Sequence, residues 1–353
     1  MIREGSLCAF KLILKVRTPV HIGSGQQVMK NEYLFNAETG EVTMLDVEKM
    51  LMLLAQKGFA DRYEEHILSG ERGGLNGLMR ICGLTRDDLS SAILYKTKAG
   101  DALDEDHQLS QINRFIRTAE ELPYIPGSSL KGAIRTILLH KLISTGGLTE
   151  QESGDRRLED KIINTLPIPG GKDFDMTRSV MRGLLVSDSE PVSNDCMILA
   201  GKTDVSTFGN PHPINKVVRE CAAPGTRFCF MVTIDSSLID LTPDSLMAAI
   251  RDYRQYYRRE YSSRFKQPER AVADNDDNII ILGGGSGYFS KNIVYHSIGY
   301  DKGLRRVSQY MTAKFKDHHH DNDEKLGISP HMIKYTRCGG SLRQFGLCEV
   351  SIE

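Results

Sequence analysis

The 353 residues set 45 Lys and Arg against 46 Asp and Glu, a formal charge of -1, so the chain lacks the basic excess of a free-standing nucleic-acid binder. Nucleic-acid contact then needs a local groove or a neighbouring subunit that supplies part of it. Seven cysteines without a C-x-x-C pair argue against a disulfide framework and fit buried thiols in a reducing cytoplasm; the charges within residues 1–17 argue against a signal peptide, and no apolar run is long enough to span a membrane.

The length allows a large core, as two domains or as one core with big insertions. Leu7–Val16 reads as a strand, with Cys8, Phe10, Leu12, Leu14 and Val16 on one face and Lys11, Ile13, Lys15 and Arg17 on the other. Thr18-Pro19 ends it and Gly23-Ser24-Gly25 turns the chain; His21 beside the turn is of a kind that more often packs or hydrogen-bonds than catalyses. Tyr33–Phe35 and Val42–Met44 flank Glu38-Thr39-Gly40 as a hairpin. Asp46 caps a helix to about Gln56, and helical patterns recur at 62–68, 75–81 and 86–94, so 46–122 is expected to be a mainly helical insertion. Its acidic stretch Asp101–Asp106 is unsuited to RNA.

Residues 124–143 predict a loop that turns into a buried helix. Pro126-Gly127 makes the turn, Ser128 or Ser129 caps, and Leu130, Ile134, Ile137, Leu138 and Leu142 form a core stripe. Lys131 and Arg135 stand one turn apart near the positive end of the helix, where like charges repel each other and the dipole. A bound phosphate would offset both costs; the competing reading has the two cations pointing into water.

A charged helical piece at 150–166 and a loop at 167–171 lead to a short strand at 183–187. Met197–Ala200 and Ile214–Val218 read as strands around a turn at 208–213, decorated by Lys202, Lys216 and Arg219; an ordinary surface hairpin with solvated lysines is the other reading. Phe228–Ile234 is a continuous apolar run suited to the centre of a sheet. Thr242 and Asp244 open a long helix with Leu246, Ile250, Tyr253, Tyr257, Tyr261 and Phe265 in its core stripe, and Arg251, Arg254 and Arg258 on a solvated basic face. Ile279–Leu282 enters the loop Gly283-Gly284-Gly285-Ser286-Gly287, and Phe289–Ile293, with Lys291, leaves it. The run Asp317–Asp323 contains three consecutive histidines that could bind a metal, but in so polar a stretch it reads rather as a mobile loop, and no metal site is assigned. Leu347–Ile352 closes the chain as a strand. The order of large elements is β-α-β-β-α-β, that of a ferredoxin-like or RRM-like α+β unit.

The glycine loop lets a ligand approach the backbone and offers an anion nest. It lacks the Gly-Lys-Ser/Thr ending of a phosphate loop, and Phe289 stands where G-x-G-x-x-G needs its last glycine, which disfavours nucleotide hydrolysis and dinucleotide binding. No H-E-x-x-H, no G-x-S-x-G and no Cys/His cluster at zinc spacing occurs.

Three segments carry a resemblance. Pro126-Gly-Ser-Ser-Leu-Lys-Gly-Ala-Ile-Arg135 and Thr18-Pro-Val-His-Ile-Gly-Ser-Gly25 resemble segments of the RAMP superfamily of CRISPR proteins. Leu282-Gly-Gly-Gly-Ser-Gly-Tyr-Phe-Ser-Lys291 is similar to a glycine-rich segment in the type III-A Csm end-subunit family, whose members cap the 3′ end of crRNA. The resemblance implies a ferredoxin-like RAMP core. It comprises a first strand and hairpin (1–45), the helical insertion (46–122), the central helix and second core strand (123–188), a projecting thumb hairpin (189–226), the rest of the core with the glycine loop (227–293) and a C-terminal segment (294–353). It also implies crRNA and other Csm subunits as partners, above all the repeated backbone subunit, together with host 3′-trimming nucleases recruited or positioned for crRNA maturation. No cofactor and no catalytic residue are carried over. The residues expected at RNA are His21, Ser128, Ser129, Lys131, Arg135, Lys202, Lys216, Arg219, Gly283, Gly284, Gly285, Ser286, Gly287 and Lys291. The alternative is a metal-independent endoribonuclease, as some RAMP relatives are, with His21, Tyr124 and Lys131 as its acid–base candidates.

Overall fold

A computed structural model describes residues 1–69, 73–103, 109–146, 158–167 and 175–353, with the backbone alone at 146 and 215–217. Residues 150–157 of the expected helix and 168–171 of the loop lie outside the described residues; a helix is present at Leu158–Ile163 and has ended before 164–166.

Leu7–Val16 alternates as its sequence demands. Phe10, Leu12, Leu14 and Val16 are buried against helices, and Lys11 faces out. It lies between Arg227–Asp235 and Leu347–Ile352. With Leu184–Val186 and Ile279–Ile281 at the edges, the order is 279–281, 347–352, 7–16, 227–235, 184–186, each neighbour antiparallel; Ile2–Glu4 folds back onto Leu7–Ala9. The strand that enters the glycine loop therefore sits at the outer edge, and the closing strand takes the place beside Leu7–Val16. Arg227–Asp235 is interior to the sheet, but Met231 is 45% exposed, so only one face of its apolar run is covered.

Two helices cover that face. Gly127–Gly146 packs against Pro243–Glu260, and both share one core with the five strands of this order. In the first helix Leu130, Ile134, Ile137 and Leu138 are buried as expected, whereas Leu142 is 39% exposed and Ile143 takes the inward place. The second starts with a capping box, Thr242 with Ser245, and Pro243 in its first turn. Its basic face is solvated only in part: Arg251 is exposed, Arg258 half-buried and Arg254 buried. The segment 274–278 lies over it, with Arg254 donating to the Asp274 carbonyl at 2.9 Å, Arg258 pairing with Asp277, and Arg251 reaching Asn278 at 3.3 Å.

A second, nine-stranded sheet is built around the hairpin Met197–Ser206 and Pro211–Ala222, bulged between Ile214 and Val218. Its order is 23–28, 112–115, 211–222, 197–206, 93–98, 41–45, 33–36, and Met332–Cys338 adds to 197–206 and pairs with Ser341–Gln344. The hairpin is thus not the ordinary surface hairpin of the other reading but the spine of a sheet, with neighbours on both of its strands. Region 46–122 contributes the helices Val47–Gln56, Ala60–Ser69 and Gly74–Cys82, but also two strands of this sheet. Ile93–Lys98 forms a strand where a helical pattern was expected to run on to 94, because Tyr95 and Thr97 alternate inward and β-branched and aromatic residues favour the extended form.

The C-terminal part is helical at Val294–Ile298 and Tyr300–Lys314. The histidine run that reads as a mobile loop is folded into two short 3-10 turns, Lys316–His318 and His320–Asn322, followed by helix Asp323–Leu326.

Candidate nucleic-acid interface

The three glycine-bearing segments meet the two sheets at connected places. After Val16 the chain crosses from the first sheet to the second, and Val20 bridges to Ala222 through backbone bonds of 2.8 and 3.3 Å. His21, 6% exposed, holds the crossing. Its Nδ1 donates to the Glu220 carbonyl at 2.7 Å, and its own carbonyl accepts the Gly284 N–H at 2.7 Å. Burial, with the charge of Arg219 assisting, lowers the His21 pKa to about 4 against the carbonyl's opposing pull, so the imidazole is neutral at pH 7. Gly23 and Gly284 cover the ring, and Phe115 meets it edge-on.

Gly283 has φ +87° and lies so close that a Cβ would come 2.3 Å from the His21 carbonyl oxygen; only glycine fits there. Gly285 and Gly287 also have positive φ. Ser286 is buried and donates its hydroxyl to the Gly283 carbonyl at 2.8 Å, so it braces the loop from within. The Arg219 guanidinium lies alongside, its Cζ 3.6 Å from where a Gly285 Cβ would stand. Its Nη1 is buried without a hydrogen-bond partner, and burial lowers its pKa. Lys291, at the far end of the loop, keeps a solvent-exposed surface but its ammonium is partly desolvated; that desolvation first and the charge of Arg219 second push its pKa down. Among the described residues no acid forms an ion pair with Arg219, Lys291 or Lys131. Arg219 and Lys291 are thus two cations that repel each other beside an open-backboned loop, an arrangement that an anion relieves.

The turn Phe289–Lys291 packs against the central helix. That helix begins where Gly127 lies against the end of strand Leu184–Val186, so close that a Cβ would stand 2.2 Å from the Val186 carbonyl oxygen. The expected serine cap is replaced. The Gly127 N–H donates to the Asp188 carboxylate at 2.8 Å, and Ser189 clamps Ile125 through two bonds of 2.9 Å. Ser128 is exposed and Ser129 half-buried. Lys131 is half-buried, and the loss of solvent lowers its pKa. Arg135 instead pairs with Glu159 at 2.5 Å, so one of the two awkward cations has a partner supplied from 24 residues downstream.

Of the hairpin cations, Lys202 pairs with Asp204 at 3.2 Å, as does Lys334 at 2.9 Å, so Lys202 belongs to a charge cluster rather than to a solvated edge. Lys216 lies in Pro211–Ala222, and its side chain is outside the described residues. Sequence reasoning missed Arg117 and Glu220, which form a buried ion pair; Glu220 also accepts the Phe115 N–H at 2.9 Å, and Arg117 stacks on Tyr95 at 3.5 Å. Only the acid inside a strand of alternating burial hinted at it.

The RAMP superfamily model matches residues 13–240. The chain belongs to the RAMP superfamily. Its relatives over most of the length are Csm5 proteins. It is 27% identical to the CRISPR system Cms protein Csm5 of Streptococcus thermophilus over 323 residues, covering 87% of this chain and 85% of that one. It is 23% identical to that of Enterococcus italicus over 339 residues, covering 87% and 86%. Among solved structures, a chain in the cryo-EM structure of a Csm-crRNA-target RNA ternary complex of a type III-A CRISPR-Cas system matches with a TM-score of 0.69, 18% identity and coverage of 98% and 100%. The crystal structure of T. onnurineus Csm5 matches with a TM-score of 0.64, 19% identity and coverage of 96% and 99%. The mixed α+β architecture is accordingly that of RAMP proteins. Among the described residues no helix is long and apolar enough to cross a membrane.

Proposed function

We propose that this protein is a crRNA-binding, non-catalytic end subunit of a type III-A Csm effector complex, acting in crRNA 3′-end maturation and antiviral defence in the cytoplasm. Its partners would be crRNA, the neighbouring Csm subunits, above all the repeated backbone subunit, and host nucleases that trim the 3′ end. Kinship with Csm5 proteins supports the assignment. Supporting a ferredoxin-like core is the antiparallel strand order 347–352, 7–16, 227–235, 184–186 under two helices; the 197–222 hairpin stands where the thumb is expected.

The observation that carries RNA binding is the Arg219 guanidinium, buried on one nitrogen without a partner beside Gly285, with Lys291 raising the local positive potential. Sugar-phosphate held there by charge and shape leaves sequence reading to the guide. Against the endoribonuclease alternative, His21 is enclosed and its Nδ1 is committed to a carbonyl, so it is poorly placed to exchange protons with a substrate.

The test is to purify the complex with the wild-type chain, without the chain, and with the Arg219→Ala/Lys291→Ala variant, and to sequence the crRNA 3′ ends. Longer or heterogeneous ends without the chain, and an intermediate pattern in the variant, support the reading. A normal length distribution in the deletion overturns it, and specific cleavage of repeat RNA by the isolated chain in EDTA establishes the endoribonuclease instead.

A further inference from the structure

Outside the proposed RNA interface, one buried cluster has no role yet. Asp323, fully buried, lies at the start of helix Asp323–Leu326. One carboxylate oxygen is 2.9 Å from Nδ1 of His320, and the other contacts Nδ1 of His331. The donor atoms of the three residues lie within 4.8 Å of one another. Among the described residues no Lys or Arg pairs with Asp323. A carboxylate without solvent needs a compensating charge, which a cation held between the carboxylate and the two imidazoles would supply.

The surroundings hold the donors in place. His319 adopts left-handed backbone, φ 53°, which separates the rim histidines from the buried His320. The Ser308 hydroxyl donates to the His320 carbonyl at 2.9 Å. His331 directly precedes strand Met332–Cys338 of the second sheet. His320 and His331 both border a cavity of about 600 Å³, while Asp323 stays behind them.

We propose that His320, Asp323 and His331 bind one divalent transition-metal ion of the zinc class, which ties the histidine run to the second sheet. Two imidazole nitrogens and one carboxylate oxygen suit zinc, cobalt or nickel, and the dication neutralises the buried carboxylate. Binding moves the Nδ1 protons to Nε2 or to solvent, so the imidazoles coordinate as neutral ligands.

The experiment uses the untagged full-length chain. Metal content is measured by inductively coupled plasma mass spectrometry, and melting curves are recorded after chelator treatment, with and without added Zn²⁺. About one zinc per chain, a lower melting temperature after stripping and its recovery on adding Zn²⁺ are expected. Asp323→Asn and His331→Ala should lose the metal, and His318→Ala/His319→Ala should keep it. The near-isosteric Asp323→Asn guards against simple unfolding. A stripped wild-type chain that neither binds Zn²⁺ nor gains stability from it overturns the proposal and leaves a hydrogen-bonded His-Asp-His cluster. Loss of binding in His318→Ala/His319→Ala with retention in His331→Ala also overturns it, since the ion would then sit on the surface histidines.

Discussion

His21 donates through Nδ1 to the carbonyl of Glu220, 2.7 Å away and 199 residues along the chain. Through its own carbonyl it also receives Gly284. The residue that reads as an RNA contact or an acid–base candidate acts as a peg joining the first turn, the hairpin and the glycine loop. His21→Ala should cost about 1–3 kcal/mol, the range for orphaning a buried hydrogen-bonding group. RNA affinity should fall with it, but the dependence of affinity on salt should keep its slope, because no phosphate contact is lost. Urea unfolding and RNA titrations at several salt concentrations check this; a reduced slope would return His21 to the interface.

Glycines of similar φ should respond differently to a methyl group. Gly25→Ala meets open space at φ +84° and should cost only the left-handed strain, about 1–2 kcal/mol. Gly283→Ala adds a clash with the His21 carbonyl and should cost clearly more. Equal effects on the denaturation midpoint would mean that the loop shifts freely.

Stability should fall as the solution is acidified from pH 6.5 to 4. Burial lowers His21 to about 4 and His140 to about 3, so the unfolded chain binds protons that the folded chain refuses. The contribution is fully present above the ordinary histidine pKa and is lost progressively as pH drops toward the folded values. His140 packs against Tyr253, Tyr256 and His296, and His140→Phe should flatten the curve. Melting temperatures of both proteins across this window test it, and parallel curves would remove His140 as a source.

Glu220→Ala should be the most disruptive of these changes. It leaves the Arg117 guanidinium buried and unpaired, a loss of about 3–5 kcal/mol. A chain that melts within a degree or two of wild type would show that Arg117 swings out to water.

Lys131 and Arg135 should separate in RNA titrations. Lys131→Ala should reduce the slope of log affinity against log salt by about 0.7, the value for one single-strand phosphate contact. Arg135 is already neutralised by Glu159, so Arg135→Ala should change the slope less. The reverse order would mean that RNA displaces Glu159.

Periodicity read the elements well where one face is covered and the other open. Leu7–Val16, the long helix from Thr242 and the inward stripe from Leu130 to Leu138 follow from it. It erred where a distant segment decides the environment. Arg254 reads as solvated because Asp274 cannot be seen from its helix, and the Ser128 cap gives way to Asp188, 61 residues from the N–H it accepts. Motif spacing drew attention to the glycine loop, but not to the inward turn of Ser286 or to Arg219 as the cation beside it. The histidine run reads as polar loop from composition; its fold depends on Ser308 and on His331, which local sequence does not connect.

The pairing of Leu7–Val16 with Leu347–Ile352 has a consequence for synthesis. Leu7–Val16 leaves the ribosome long before its partner strand, and the Thr18 hydroxyl waits to accept the Leu347 N–H at 2.8 Å. Such distant pairing makes folding slow and keeps the edge of Leu7–Val16 open until Leu347–Ile352 has been made. Until then that unpaired edge is a template for strands of other chains, so a truncated product that lacks the final strand would be prone to aggregate rather than to enter an assembly in partial form.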